Sequence, residues 1–255
     1  MTERNGYTAS ELLAVMSARL LSDGQIVFAG VGIPLLAATL AQRDRDAPAA
    51  ATSAASLGAA MAEARGHRGY QLLVAGFFVC GFHITFIGTH LPAYLSDRGL
   101  DADEAALALA LIGLFNIFGS IICGVAGGRF AKKNVLSAIY IARSVVIVAF
   151  LMAPLSAWAA YAFAAAMGLL WLGTVPLTSA LVAQVFGPRY MGALFGIVFF
   201  SHQIGAFIGV WLGGYVFDVT GSYDVVWWIA ILLGLAATAL HLPINERPLA
   251  RVAAG

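Results

Sequence analysis

Beyond Leu72 the apolar residues of this chain do not alternate with polar ones; they run on in long stretches. Six such stretches lie at 71–95, 104–127, 134–153, 157–183, 191–217 and 223–243. Each has the length, about 20 residues, that an α-helix needs to cross a hydrocarbon core about 30 Å thick. The breaks between them are short: acidic SDRGLDADE (96–104), basic GGRFAKKN (127–134), then APLSA (153–157), FGPRYMG (186–192) and DVTGSYD (218–224). Such connections set consecutive helices antiparallel, and the runs are too long and too uniform for barrel strands. The pattern predicts an all-α membrane protein, a six-transmembrane-helix bundle at 71–245 with a short N-terminal cytoplasmic segment and a tail at 246–255.

The residues ahead of the first stretch read differently. Residues 44–70 are Ala-rich with scattered charge, which suits a linker followed by a short surface helix. Within 7–43, Thr8 and Glu11 make a capping box ahead of an amphipathic helix. QIVFAGVGIP (25–34) then has the look of a buried strand entering a Gly-rich turn. Acids and arginines interrupt the opening residues (Glu3, Arg4, Glu11, Arg19), so no secretory leader is expected there.

Composition turns the pattern into a requirement. The chain is 61% hydrophobic and 11% charged, with mean hydropathy +0.87, against about 45–50% apolar and about 25% charged in soluble domains. Lipid must be the solvent for most of this surface. A net charge of +1 carries no signal for nucleic acid. Cys80 and Cys123 both fall inside apolar stretches and read as small buried hydrophobes. No metal site, cofactor or enzymatic centre is expected.

Where the cations sit matters more than their sum. Arg43, Arg45, Arg65 and Arg68 precede the first stretch, Arg129, Lys132 and Lys133 follow the second, Arg189 the fourth, and Arg247 and Arg251 the sixth. All fall on one side of an alternating bundle. The other side keeps Arg98 among Asp97, Asp101, Asp103 and Glu104. Because Lys and Arg collect in cytoplasmic loops, both ends are expected in the cytoplasm of a cell that holds the protein in its plasma or inner membrane.

The basic turn carries a further signal. GVAGGRFAKK (124–133) resembles the G-x-x-x-D-R-x-G-R-R/K loop of the major facilitator superfamily, with Gly124, Arg129, Lys132 and Lys133 in matching places. Gly128 stands where the family has Asp, and Ala131 where it has the second Gly. In the family that acid and Arg lock neighbouring helices in one gating state, so the loop here lacks half of the lock. LFGIVFFSHQIGAFIG (194–209) and GVWLGGYVFDVTGSYD (209–224) resemble helix 11 of the same superfamily. The resemblance makes residues 71–245 the C-terminal six-helix half, closest to the monocarboxylate and organic-anion-like branch. It implies secondary transport of a small organic anion, coupled to protons by symport, through alternating access. A half-bundle would then need a partner, either a second copy or a separate N-terminal half.

Residues 7–43 resemble instead the opening of a CoA-transferase: Tyr7, Thr8, Glu11, Leu12, Asp23, Gly24, Gly30, Gly32 and Pro34 fit the start of the polypeptide that carries that enzyme's nucleophile. The nucleophilic Glu itself has no counterpart here. The alternative reading of the same segment is that GIPLLAATLAQR (32–43) resembles the tail of helix 6 of the superfamily, with residues 26–40 entering the membrane. The alternatives to a transporter are therefore a fusion or truncation product without activity, or a membrane-tethered CoA-transferase component.

Polar side chains at bilayer depth are costly and mark cavities or mutual partners. Arg143, near the middle of the third stretch, is the sharpest candidate for holding an anionic substrate, since a guanidinium grips a carboxylate through two parallel bonds. The opposing reading is an Arg satisfied by backbone carbonyls. His83, seven residues from His90 and on the same helical face, is a candidate for a substrate hydrogen bond or a proton. Asn116 heads a stripe with Ser120 and Cys123, and Trp171 one with Thr174 and Thr178, where Pro176 is able to kink the helix. Asn116, Trp171, His202 and Gln203 complete the set of substrate-binding candidates. Gly205, Gly209 and Gly213 form a small-residue ladder suited to close helix packing.

Overall fold

The structure, a computed structural model, describes residues 54–249. The CoA-transferase-like segment, the start of the linker and Arg251 lie outside the described residues. Those described fold into helices α1 (Leu57–Gly66), α2 (Arg68–Asp97), α3 (Ala102–Arg129), α4 (Lys132–Met152), α5 (Ala157–Leu169), α6 (Thr174–Phe186), α7 (Met191–Thr220) and α8 (Asp224–His241). Among the described residues there is no strand. Six spans are long and apolar enough to cross a membrane, α5 and α6 together making the fourth.

Local chemistry sets the ends. Ser56 and Ser156 cap α1 and α5, each hydroxyl accepting from the backbone N–H three residues on, at 3.2 Å. Glu104 reaches back to the Asp101 N–H at 3.0 Å to open α3. Gly221 closes α7 at φ 69°, a left-handed conformation that glycine adopts without a Cβ penalty.

α2 is the centre of the bundle, packed along α7 and also against α8 and α3, while α3 pairs with α5 and α4 with α8. The α2–α7 seam is made by small residues. A Cβ on Gly205 or Gly209 would collide with the backbone of Phe78 or Phe82, and one on Gly81 with the His202 carbonyl. Gly213 sits against the His90 ring. Hydroxyls stitch the same seam: Ser201 Oγ donates to the Val74 carbonyl at 2.7 Å and Thr85 Oγ1 to the Ala206 carbonyl at 2.9 Å. With lipid as apolar as any side chain, close backbone approach and such bonds carry helix association.

The basic turn lies where α4, α6 and the segment after α8 meet. Lys132 Nζ donates to Gln184 Oε1 at 2.7 Å, and Lys133 Nζ to the Leu242 carbonyl at 3.0 Å. Glu246 accepts from the Lys133 backbone N–H, and Gln184 Nε2 donates to the Glu246 carbonyl at 3.0 Å. Arg129 and Gly128 are exposed, and Gly124 is half-buried. At the opposite end Arg98 Nη2 and Asp224 Oδ1 lie 3.0 Å apart, both well exposed, a geometry worth little in stability.

Candidate functional site

The fourth span is not one helix. It breaks between Leu169 and Thr174, ahead of Pro176 rather than at it. The proline accounts for one freed carbonyl. Lacking an N–H, it cannot bond the Leu172 carbonyl, and its ring would clash there. That carbonyl turns instead to the Val175 N–H at 3.0 Å, a tighter turn. Freed backbone groups at membrane depth must find partners inside the protein.

They find them on two neighbouring spans. From α4, Arg143 Nε and Nη2 donate to the Leu170 carbonyl at 3.1 and 2.6 Å, and Nη2 also to the Trp171 carbonyl. From α3, Asn116 Oδ1 accepts the Leu172 N–H at 3.0 Å, with Ser120 Oγ at 3.4 Å beside it. The carbonyl end of α5 carries partial negative charge, which suits a cation. Glycines let the pieces close up: Gly168 lies on Ile112, Gly119 on the Leu169 backbone, and Gly173 on the Cys123 thiol.

Behind the break is a polar cluster. The Cys80 thiol lies 3.1 Å from Thr174 Oγ1. The Arg143 guanidinium lies 5.4 Å from the Tyr140 ring centroid. Arg143 and His83 are fully buried, and His202 is 7% exposed. Buried atoms without a hydrogen-bond partner are concentrated here: Arg143 Nη1, Tyr140 Oη, His202 Nε2, His83 Nδ1 and Thr178 Oγ1.

The sequence candidates therefore divide into layers. Gln203 is exposed, and Asn116 and Trp171 are half-exposed. Arg143, His83 and His202 sit inside. His83 and His90, two turns apart on α2, serve different neighbours: His83 Nε2 donates to the Ala230 carbonyl of α8 at 2.7 Å, His90 Nε2 to the Val210 carbonyl of α7 at 2.9 Å. Cys80 and Tyr140 were not singled out for chemistry by sequence. Each lies three residues before a flagged polar residue, His83 and Arg143, hence on the same helical face, and that spacing was the available signal.

These features define a membrane-spanning helical half-bundle built round an interrupted helix. The family model of the Major Facilitator Superfamily matches residues 9–210 and 73–255, and the chain belongs to that superfamily. The first match begins within the segment that resembles a CoA-transferase. An uncharacterised MFS-type transporter, YcxA of Bacillus subtilis (strain 168), is 28% identical over 188 residues, covering 71% of this chain and 45% of that protein. Monocarboxylate transporter 12 of Rattus norvegicus is 24% identical over 195 residues, covering 69% of this chain and 40% of the relative. The crystal structure of the Escherichia coli fucose:proton symporter FucP (N162A) superposes with a TM-score of 0.60 at 19% identity, over 82% of this chain and 52% of FucP. The chain spans less than half the length of these two relatives and about half of that structure.

Proposed function

We propose that this chain is one half of a secondary transporter for a small, monocarboxylate-like organic anion, with protons as the coupling ion. The observation that carries the reading is Arg143: a guanidinium at the middle of a span, one nitrogen still unpaired, in a stretch with no acid between Glu104 and Asp218. A buried cation without a carboxylate partner favours an anionic visitor. Similarity to monocarboxylate transporters points to the same class of substrate.

Asn116, Trp171 and Gln203 form the approach from the open side, and Arg143 supplies the charge behind the break. The apolar side chains exposed on α7, among them Phe200, Phe207 and Trp211, flank Gln203 and are covered by a second six-helix bundle, either another copy or a separate N-terminal half. The two bundles rock about the midplane. The basic turn and both ends of the bundle face the cytoplasm, following the cation rule.

The test is uptake of labelled lactate and other short monocarboxylates into vesicles holding the chain alone or with an N-terminal half from a relative. Uptake that falls at least tenfold in Gln203→Ala and Arg143→Lys supports the reading. Absence of uptake in both preparations overturns it.

A further inference from the structure

Arg143 carries the transport reading above, yet its side chain is fully enclosed, so no anion reaches the guanidinium while the fourth span stands as described. Nε and Nη2 are spent on the Leu170 and Trp171 carbonyls, and Nη1 is without a partner. The interrupted segment itself lies nearer the surface: Trp171 is half-exposed and Leu172 is 38% exposed.

In a continuous α-helix each N–H bonds the carbonyl four residues back. Across the gap this would join the Thr174 N–H to the Leu170 carbonyl, the Val175 N–H to the Trp171 carbonyl and the Leu172 N–H to the Gly168 carbonyl. Side chains and tighter turns have taken those partners. Arg143 holds the first two carbonyls. The Val175 N–H goes to the Leu172 carbonyl and the Trp171 N–H to the Gly168 carbonyl, both at 3.0 Å. The Leu172 N–H goes to Asn116 Oδ1 at 3.0 Å. Pro176 removes one helical partner only, that of the Leu172 carbonyl. The segment therefore has a second arrangement, a helix lacking a single bond, and that arrangement releases Arg143 and Asn116 together.

We infer that the Leu170–Gly173 break is a two-state element closed by the substrate: an incoming carboxylate takes Arg143 from the Leu170 and Trp171 carbonyls, and the span closes into one helix. The inference rests on the transport reading of Arg143. Hydrogen bonds involving ionised groups are roughly twice as strong as neutral ones, and two carboxylate oxygens suit the fork of the guanidinium better than two neutral carbonyls. The released carbonyls are not left bare in lipid, because the Thr174 and Val175 N–H groups then donate to them. Asn116, which now bonds within the same segment as Arg143, turns its freed amide to the same anion. A ligand shifts such an equilibrium only by binding its two states unequally. Here the broken state offers the anion one enclosed nitrogen, and the helical state offers the whole guanidinium edge.

The test is amide hydrogen exchange over residues 169–176, read by mass spectrometry on the full chain in detergent, alone or with an N-terminal half from a relative. Lactate is expected to slow this exchange about tenfold, and its neutral amide, lactamide, to leave it unchanged. Arg143→Gln, which keeps a donor without the charge, is expected to lose the response. Pro176→Ala, which restores the missing N–H, is expected to slow the exchange without ligand and to bind labelled lactate more tightly. Lactate that binds the wild-type chain without changing exchange here overturns the two-state break. So does Pro176→Ala that matches wild type in both readouts. A wild-type chain that binds no lactate in either preparation overturns the transport reading, and with it the substrate's part in the switch.

Discussion

The fourth and fifth spans have the same length, 30 residues each, and similar apolar character, yet one is broken and the other continuous. Their partners explain the difference. The fifth span, α7, keeps its backbone bonds and meets α2 through Gly205 and Gly209, where the two backbones come into contact. The fourth gives up bonds around Leu170–Gly173 and recovers them from side chains on α3 and α4. In lipid every backbone polar group must be matched within the protein. A span can therefore be interrupted only where a neighbour brings a donor or acceptor to the gap. Small residues make a rigid seam, and a long charged side chain makes an opening that holds.

The comparison can be broken from either side. The largest effect is expected from Arg143→Leu, which strips the Leu170 and Trp171 carbonyls of a charged donor. Bonds to charged groups are worth about 1.5–3 kcal/mol, so a loss of about 3 kcal/mol is expected in a denaturing-detergent unfolding titration. Adding Pro176→Ala lets the helix close on itself and is expected to restore about 1 kcal/mol, a coupling that independent sites would not show. Next comes Gly205→Ala, whose Cβ meets the Phe78 carbonyl. Overpacking of this kind costs about 1–3 kcal/mol, and here no second change within the fourth span should relieve it.

The smallest effect concerns the entry to α2, outside both spans. His67 Nδ1 accepts the Tyr70 N–H at 3.1 Å, and burial lowers the His67 pKa below its ordinary value. Protonation destroys that acceptor. The cap's contribution is therefore full above the unfolded value of about 6.5, and it is lost as pH falls from there through the lower folded value. His67→Asn, which keeps a capping oxygen, should flatten the acid limb of the stability–pH curve without moving its plateau.

Much of the fold was legible because the bilayer writes itself into span length. The expected stretch at 104–127 became Ala102–Arg129, that at 191–217 became Met191–Thr220, and that at 134–153 became Lys132–Met152. The break at Leu170–Gly173 was not legible. Pro176 signals a disturbance, but its place depends on Arg143, 27 residues away in sequence, and on Asn116, 56 away from Leu172. Arg143 stood out as an unneutralised cation with backbone carbonyls as one reading of its partners, but nothing in the sequence points to the carbonyls of Leu170 and Trp171. Likewise, spacing put His83 and His90 on one face of α2, but α2 is wrapped by α7 and α8, so one face meets two helices. Periodicity gives direction from an axis and leaves open what stands there.

The interruption also has a mechanical side. α5 is fastened to α3 through Gly168 and Gly119, whereas α6 answers to Cys80 through Thr174 and to the C-terminal segment through Gln184. A rod cut between two such attachments has a separate neighbour for each half. The α5 half belongs with the second span and the α6 half with the first, and the Arg143 guanidinium is bonded to the carbonyls between them.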